Sequence, residues 1–290
     1  MSGKIEFKKL RDFGEVINDT FLFIRENFRP LIKMFIYLCG FFILAGIIAA
    51  VMQQLNLQAI GANPNNPFAG GINNLFTWNY FLVIFISMGT YTAITVSTLS
   101  FIALYIQKGK VAPNPEEVWA YFKYYFFRAF FSSIGVGLFL TFAFILCLLP
   151  GIYVFPAMSL FFPVMILENA GFIYTFNRSF KLLKNQWWLT AGVILVIWVI
   201  AYSCMMFASA PGFILTMVGT FIPGAKEWSK VMVIVGTILQ YISYAFMMIP
   251  VIGVALCYFN LVEVQESSGL MDRINQFGEE KNGDTSLEEY

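Results

Sequence analysis

Apolar residues run through this chain in long unbroken blocks, not in the short amphipathic stripes of a water-soluble domain. A helix needs about 20 such residues, at 1.5 Å rise each, to cross the hydrocarbon core of a bilayer. Six blocks reach or approach that length: 31–51, 80–106, 130–149, 152–167, 187–208 and 231–261. The fourth is short, spanning only about 24 Å as a helix, and carries Pro156 and Pro163. Pro150–Gly151 predicts a tight break before it. The sixth is longer than a span requires and is interrupted by Pro250. A further apolar piece, 213–222, lies between two Pro-Gly pairs and is too short to cross. It predicts an external interfacial or re-entrant segment. The pattern gives an all-α, polytopic membrane protein with six transmembrane helices.

Three segments between these blocks have a helical period of mixed polarity. In the first, Asp12 and Glu15 have capping-box spacing and Pro30 closes the segment. Phe13, Ile17, Thr20, Phe21, Ile24 and Phe28 share one face, and Leu22 and Phe23 fit it badly. The second opens with Asn114–Pro115, an N-cap followed by Pro at the first helical position, and continues into the third span. The third covers 171–185 and ends at Trp187–Trp188, a pair suited to the membrane edge. All three predict interfacial amphipathic helices, each ahead of a two-span hairpin, which suggests three units of one plan. The domain plan is an amphipathic helix in 1–30, a six-helix membrane domain in 31–262 and an acidic tail in 263–290. That tail holds eight acidic and two basic residues and reads as disordered or as a docking segment.

Charge then orients the spans. Net charge is only +1, but its distribution is uneven. Of 18 Lys and Arg, all but Lys226 and Lys230 fall on one side of a six-span layout. The positive-inside rule makes that side cytoplasmic, with both termini there. A five- or seven-span layout splits the basic clusters between faces. The opening residues are charged and amphipathic, unlike a cleavable signal peptide, so the first span is expected to act as an uncleaved anchor. The uncharged loop 61–74 is expected outside. It is not a phosphate cradle, because no strand precedes it and no Lys follows.

Composition narrows the chemistry. Apolar residues make up 59% of the chain and charged residues 12%, and there is no His. The commonest general base and metal ligand is therefore missing. Cys39, Cys147, Cys204 and Cys257 sit singly in apolar runs, as buried small hydrophobes. No Asp, Glu, Lys or Arg lies in the cores of the spans, which disfavours an ion-coupled transporter. An intramembrane enzyme would need an activated Ser or Cys nucleophile, and no base is at hand. Neither a catalytic residue, a metal site nor a cofactor is expected.

Candidate sites are then few. Glu168 and Arg178 form a candidate ion pair at the interface, more often structural than ligand-binding. Lys123, Arg128, Arg178, Lys181 and Lys184 are candidate contacts to anionic lipid headgroups. Tyr91, Thr95 and Thr98 share a face of the second span. With Gln240 and Tyr244 of the sixth they make a candidate polar cavity, although hydroxyls in spans usually serve packing. Gly46–Ala50 and Ser133–Gly137 have the small-residue spacing that permits close helix contact.

The stretch 148–188 resembles a poorly characterised bacterial family of six-span membrane proteins. That family includes the membrane domain fused to some glycerophosphodiester phosphodiesterases. Pro150, Gly151, Tyr153, Pro163, Glu168, Arg178, Ser179, Lys184, Asn185 and Trp187 carry the likeness, over about forty residues. The resemblance implies a multi-pass protein of the bacterial inner membrane. It does not confer phosphodiesterase activity, since that barrel needs a few hundred further residues. The expected function is a non-catalytic scaffold or lipid-contacting subunit of a membrane assembly. The alternative is a passive carrier or flippase of a lipid or small amphiphile. Expected partners are the lipid bilayer, including anionic headgroups, and other membrane proteins, not nucleic acid.

Overall fold

A computed structural model describes residues 5–61, 78–146, 148–221 and 226–266. The expectations for loop 61–74 and for most of the acidic tail fall outside these residues, apart from Gly61 and from 263–266, which continue the last helix. Among the described residues the regular structure is helical throughout: α1 (Phe13–Glu26), α2 (Phe28–Gly61), α3 (Trp78–Gln107), α4 (Pro115–Leu146), α5 (Leu148–Leu167), α6 (Phe172–Leu182), α7 (Trp187–Phe221), α8 (Lys226–Ile242) and α9 (Met248–Glu266). Six helical stretches are long and apolar enough to cross a membrane, with α8 and α9 together forming the last. The chain is an all-α polytopic membrane protein.

The surface shows which solvent the bundle is built for. Phe41 is 75% exposed, Ile145 76% and Phe207 82%. Apolar exposure on that scale is untenable in water but ordinary against acyl chains. On α3 most hydroxyl-bearing side chains turn inward instead. α3 buries Thr90, Thr92, Thr95, Ser97, Thr98 and Ser100, the composition that lets membrane helices approach closely. α5 and the last span are the most enclosed, with 67% and 72% of their most apolar windows buried, against 22% for α7. They form the centre of the molecule.

Several expectations are corrected. The chain does not break at Pro150–Gly151. α5 already starts at Leu148, so Pro150 sits in its first turn, where no intrahelical partner is lost. Gly151 is the point of closest approach, since a Cβ there would meet the Phe144 ring at 2.4 Å. The piece 213–222 is not a separate external segment. Most of it continues α7, 35 residues long with Pro211 inside. α8 runs back along it, and Gly212 and Gly236 let the backbones touch: a Cβ on Gly212 would lie 2.4 Å from the Gly236 carbonyl. The last span is interrupted a few residues before Pro250. Ser243–Met247 is a 3-10 turn between α8 and α9. Pro250 has no N–H for the Phe246 carbonyl and its ring crowds it, so the chain tightens just upstream.

α1 starts with the expected capping box. Asp12 Oδ1 accepts from the Glu15 N–H at 2.7 Å, and Glu15 Oε2 accepts from the Asp12 N–H at 3.2 Å. The Lys9 ammonium, hydrogen-bonded to Glu15, holds that carboxyl below its ordinary value of 4.5. Its buried face is not the one expected, however. Val16, Thr20 and Phe23 are buried, while Phe13, Phe21 and Phe28 are exposed. Phe23, the misfit of the apolar stripe, packs edge-on against Phe7, Phe101 and Tyr105 at 5.3, 6.2 and 5.2 Å. α1 is wedged against α9 and α7 and not laid flat with its widest apolar face inward. Arg11 locks its entry: its backbone N–H donates to Asn260 Oδ1 at 2.8 Å, and its buried guanidinium donates to Asp19 at 2.8 Å and to the carbonyls of Phe7, Lys9 and Glu6.

α6 follows the same rule. Thr175, Ser179 and Leu182 are buried, and Phe172, Ile173 and Tyr174 face outward. Asn169, at φ 48°, supplies the left-handed turn between α5 and α6, and Asn185, at φ 69°, the turn into α7. Asn tolerates that conformation better than most residues.

Candidate functional site: a cavity that meets a lipid-facing groove

A cavity of about 510 Å³ lies where α3, α4, α5, α7 and α9 converge. Its wall is apolar apart from five hydroxyls: Ser87, Tyr91 and Thr95 from α3, Ser133 from α4 and Ser159 from α5. Three of these already donate to their own helix. Thr95 reaches the Tyr91 carbonyl at 2.9 Å, Ser133 the Phe130 carbonyl at 2.7 Å and Ser159 the Phe155 carbonyl at 2.9 Å. They blunt the polarity of the wall and leave only lone pairs toward the space. No charged residue lines it. The volume lies within the range of small-molecule sites, and the lining suits an uncharged apolar chain better than an ion.

Gly137 opens this space from α4. A Cβ placed there meets nothing within 4 Å. The small-residue pairs therefore divide. Gly46 is a true close contact, with the Tyr241 ring 2.4 Å from where its Cβ would be, whereas Gly137 borders empty volume.

Phe155 and Trp198 line this cavity and also a second, larger groove of about 870 Å³ between α5 and α7. The groove is walled by outward-facing residues, among them Ile152, Leu195, Val199, Tyr202 and Met206. The two aromatic side chains thus stand between the cavity and the lipid-facing side. Trp198 stacks on Tyr202 at 5.4 Å, and its buried indole N–H has no hydrogen-bond partner among the described residues. Three α3 hydroxyls, on Thr92, Thr98 and Ser100, are likewise buried without partners.

The structure gathers the expected cavity residues only in part. Tyr91 and Thr95 line the space; Thr98 is fully buried outside it. Gln240 and Tyr244 are elsewhere. The Gln240 carbonyl accepts from Ser243 at 2.6 Å, and Tyr244 packs edge-on against Tyr241 at 5.1 Å. Sequence reasoning missed Ser159 and Trp198, and nothing in their local spacing marks them.

The Glu168–Arg178 pair is present and larger than expected. Glu168 Oε1 accepts from Arg178 Nε at 3.2 Å and from the Tyr258 hydroxyl at 3.0 Å, and Arg178 Nη2 donates to Glu266 Oε1 at 2.5 Å. Burial alone would lower the Arg178 pKa, but the hydrogen bonds to Glu266 and Glu168 outweigh it and raise it. The Glu168 charge, foremost, raises the pKa of Tyr174. The cluster ties α5, α6 and α9 together across some ninety residues of sequence.

The remaining basic candidates differ in what they contact. Arg128 is spent on the Asn169 side chain at 3.3 Å and on the Ala170 carbonyl. Lys123 lies 5.7 Å over the Trp119 ring. Lys181 and Lys184 line a recess of about 300 Å³ with Tyr153, Phe180, Leu183 and Trp187. Among the described residues no group of three or more Cys, Asp or Glu side chains is placed to hold a metal. No protein-family model, curated protein or solved structure matches this chain.

Proposed function

We propose that this protein is a non-catalytic, lipid-contacting component of a bacterial inner-membrane assembly that shelters the apolar chain of a lipid or similar amphiphile in the cavity between α3, α4, α5, α7 and α9. The observation that carries the reading is that Phe155 and Trp198 line both that cavity and the outward-facing groove, so only these two aromatic side chains are shared between the two spaces. No charged residue lines either space, so an acyl chain moving sideways from the bilayer has only the Phe155 and Trp198 side chains to displace. The charge-free lining supports an uncharged occupant, and the absence of His from the chain supports a role without acid–base chemistry. The resemblance of 148–188 to the six-span bacterial family belongs to the same reading. So does a layout with both termini in the cytoplasm, which rests on the one-sided distribution of Lys and Arg.

Gly137→Phe tests it. Gly137 lines the cavity and a Cβ there meets nothing within 4 Å, so the substitution places a ring at the cavity wall without a clash at Cβ. Removing a mid-helix Gly also favours the helix by up to about 1 kcal/mol. The variant should fold with unchanged or raised thermal stability and lose most of the lipid that co-purifies with the wild type in gentle detergent, read by native mass spectrometry. Equal lipid retention by a well-folded variant would refute the reading.

A further inference from the structure

The recess beside Lys181 and Lys184 shares Trp187 with the groove, just as the groove shares Phe155 and Trp198 with the cavity. Recess, groove and cavity therefore adjoin in sequence, cationic at one end and apolar at the other. That is the polarity profile of a single phospholipid molecule. We infer that the occupant is an anionic glycerophospholipid drawn from the bilayer, its phosphate held between Lys181 and Lys184 and an acyl chain laid along the groove toward Phe155 and Trp198. This inference rests on the cavity reading above and adds the headgroup class.

Three features of the recess fit an anion. First, neither Lys181 nor Lys184 forms an ion pair among the described residues, in contrast to Arg178. Both are exposed, so both ammonium groups are available to a phosphate. Second, the recess lies at the C-terminal end of α6, whose free carbonyls would repel an anion. That repulsion is blunted, because Gln265 Nε2 donates to the Lys181 and Leu182 carbonyls at 3.0 and 2.8 Å. Third, the floor is fixed before any ligand arrives. The Trp187 indole N–H donates to the Tyr153 carbonyl at 3.0 Å, and the two rings stack at 5.6 Å. Little ordering is then left to offset binding.

The test presents the full-length protein, in detergent, with equimolar phosphatidylglycerol and phosphatidylcholine, and reads bound lipid by native mass spectrometry. The wild type should retain phosphatidylglycerol preferentially. The double variant Lys181→Gln/Lys184→Gln should lower that preference on the order of tenfold, as expected for two basic groups near an anionic headgroup, while the total lipid retained stays the same. The matched control Arg29→Gln/Lys33→Gln, which removes the same charge from exposed positions on α2, should leave the preference intact. If both doubles lower it equally, or the first does not lower it, the headgroup assignment is overturned and the cavity reading stands. If the wild type retains no lipid at all, both fall. Thermal stabilisation by added phosphatidylglycerol, present in the wild type and lost in the first double, separates loss of the site from loss of folding.

Discussion

At the scale of single residues, the fate of a basic side chain depends on what the fold places beside it. Arg128 and Arg178 are consumed by protein acceptors, whereas Lys181 and Lys184 are left for other partners. Glu168 is the acceptor at the centre of the first arrangement. Glu168→Gln removes the charge that Arg178 and the Tyr258 hydroxyl converge on. Because the pair is only partly buried, the expected cost is about 1–3 kcal/mol. It should appear as a lowered melting temperature and a lowered yield, with lipid retained per folded molecule unchanged. A variant that melts like the wild type but has lost its lipid would instead make Glu168 part of the binding site. The pair itself was legible in the sequence, because its two members lie ten residues apart across a turn. Tyr258 and Glu266 were not, since only the packing of α9 brings them there. Phe23 shows the same limit from the other side. Periodicity marks which residues of α1 are apolar, but two apolar flanks compete for the interior. The one facing α3 and α9 wins for reasons that lie outside α1.

At the scale of elements, the signals that held were the ones with a strong local cause. Asp12 and Glu15 make the capping box their spacing announces, and Pro115 opens α4 as its fixed φ allows. The signals that misled were the proline and glycine pairs. Pro150 falls within the first turn of α5 and Pro211 lies inside α7, so neither ends its helix. In a bilayer a helix end leaves backbone groups with no water to satisfy them, so continuing through a proline is the lesser cost. The same physics explains why 213–222 joins α7: as an isolated lipid-exposed piece it would leave unsatisfied ends. Gly212, just before that piece, then serves packing against Gly236 of α8. The cavity was half legible for a related reason. A hydroxyl-rich face on α3 is visible in sequence, but which hydroxyls reach a space depends on how α4, α5 and α7 leave that space open.

At the scale of the whole molecule, six spans without an ion in their cores and a surface of exposed Phe, Ile and Trp make a body that lipid must cover. The proposed orientation rests on the distribution of Lys and Arg. Compartment reporters fused at Asn65 and at Tyr290 should therefore report opposite sides of the membrane, the second cytoplasmic. Signals from the same compartment would overturn the layout. The central claim concerns the interior of the bundle, and photolabelling reaches it most directly. A phospholipid bearing a diazirine at the end of one acyl chain is incorporated with the protein and activated, and the adducts are mapped by peptide mass spectrometry. Adducts on the segments carrying Ser133, Gly137, Phe155 and Trp198, lost in the Gly137→Phe variant, are the predicted result. Adducts confined to outward residues such as Phe41, Ile145 and Phe207 would contradict it.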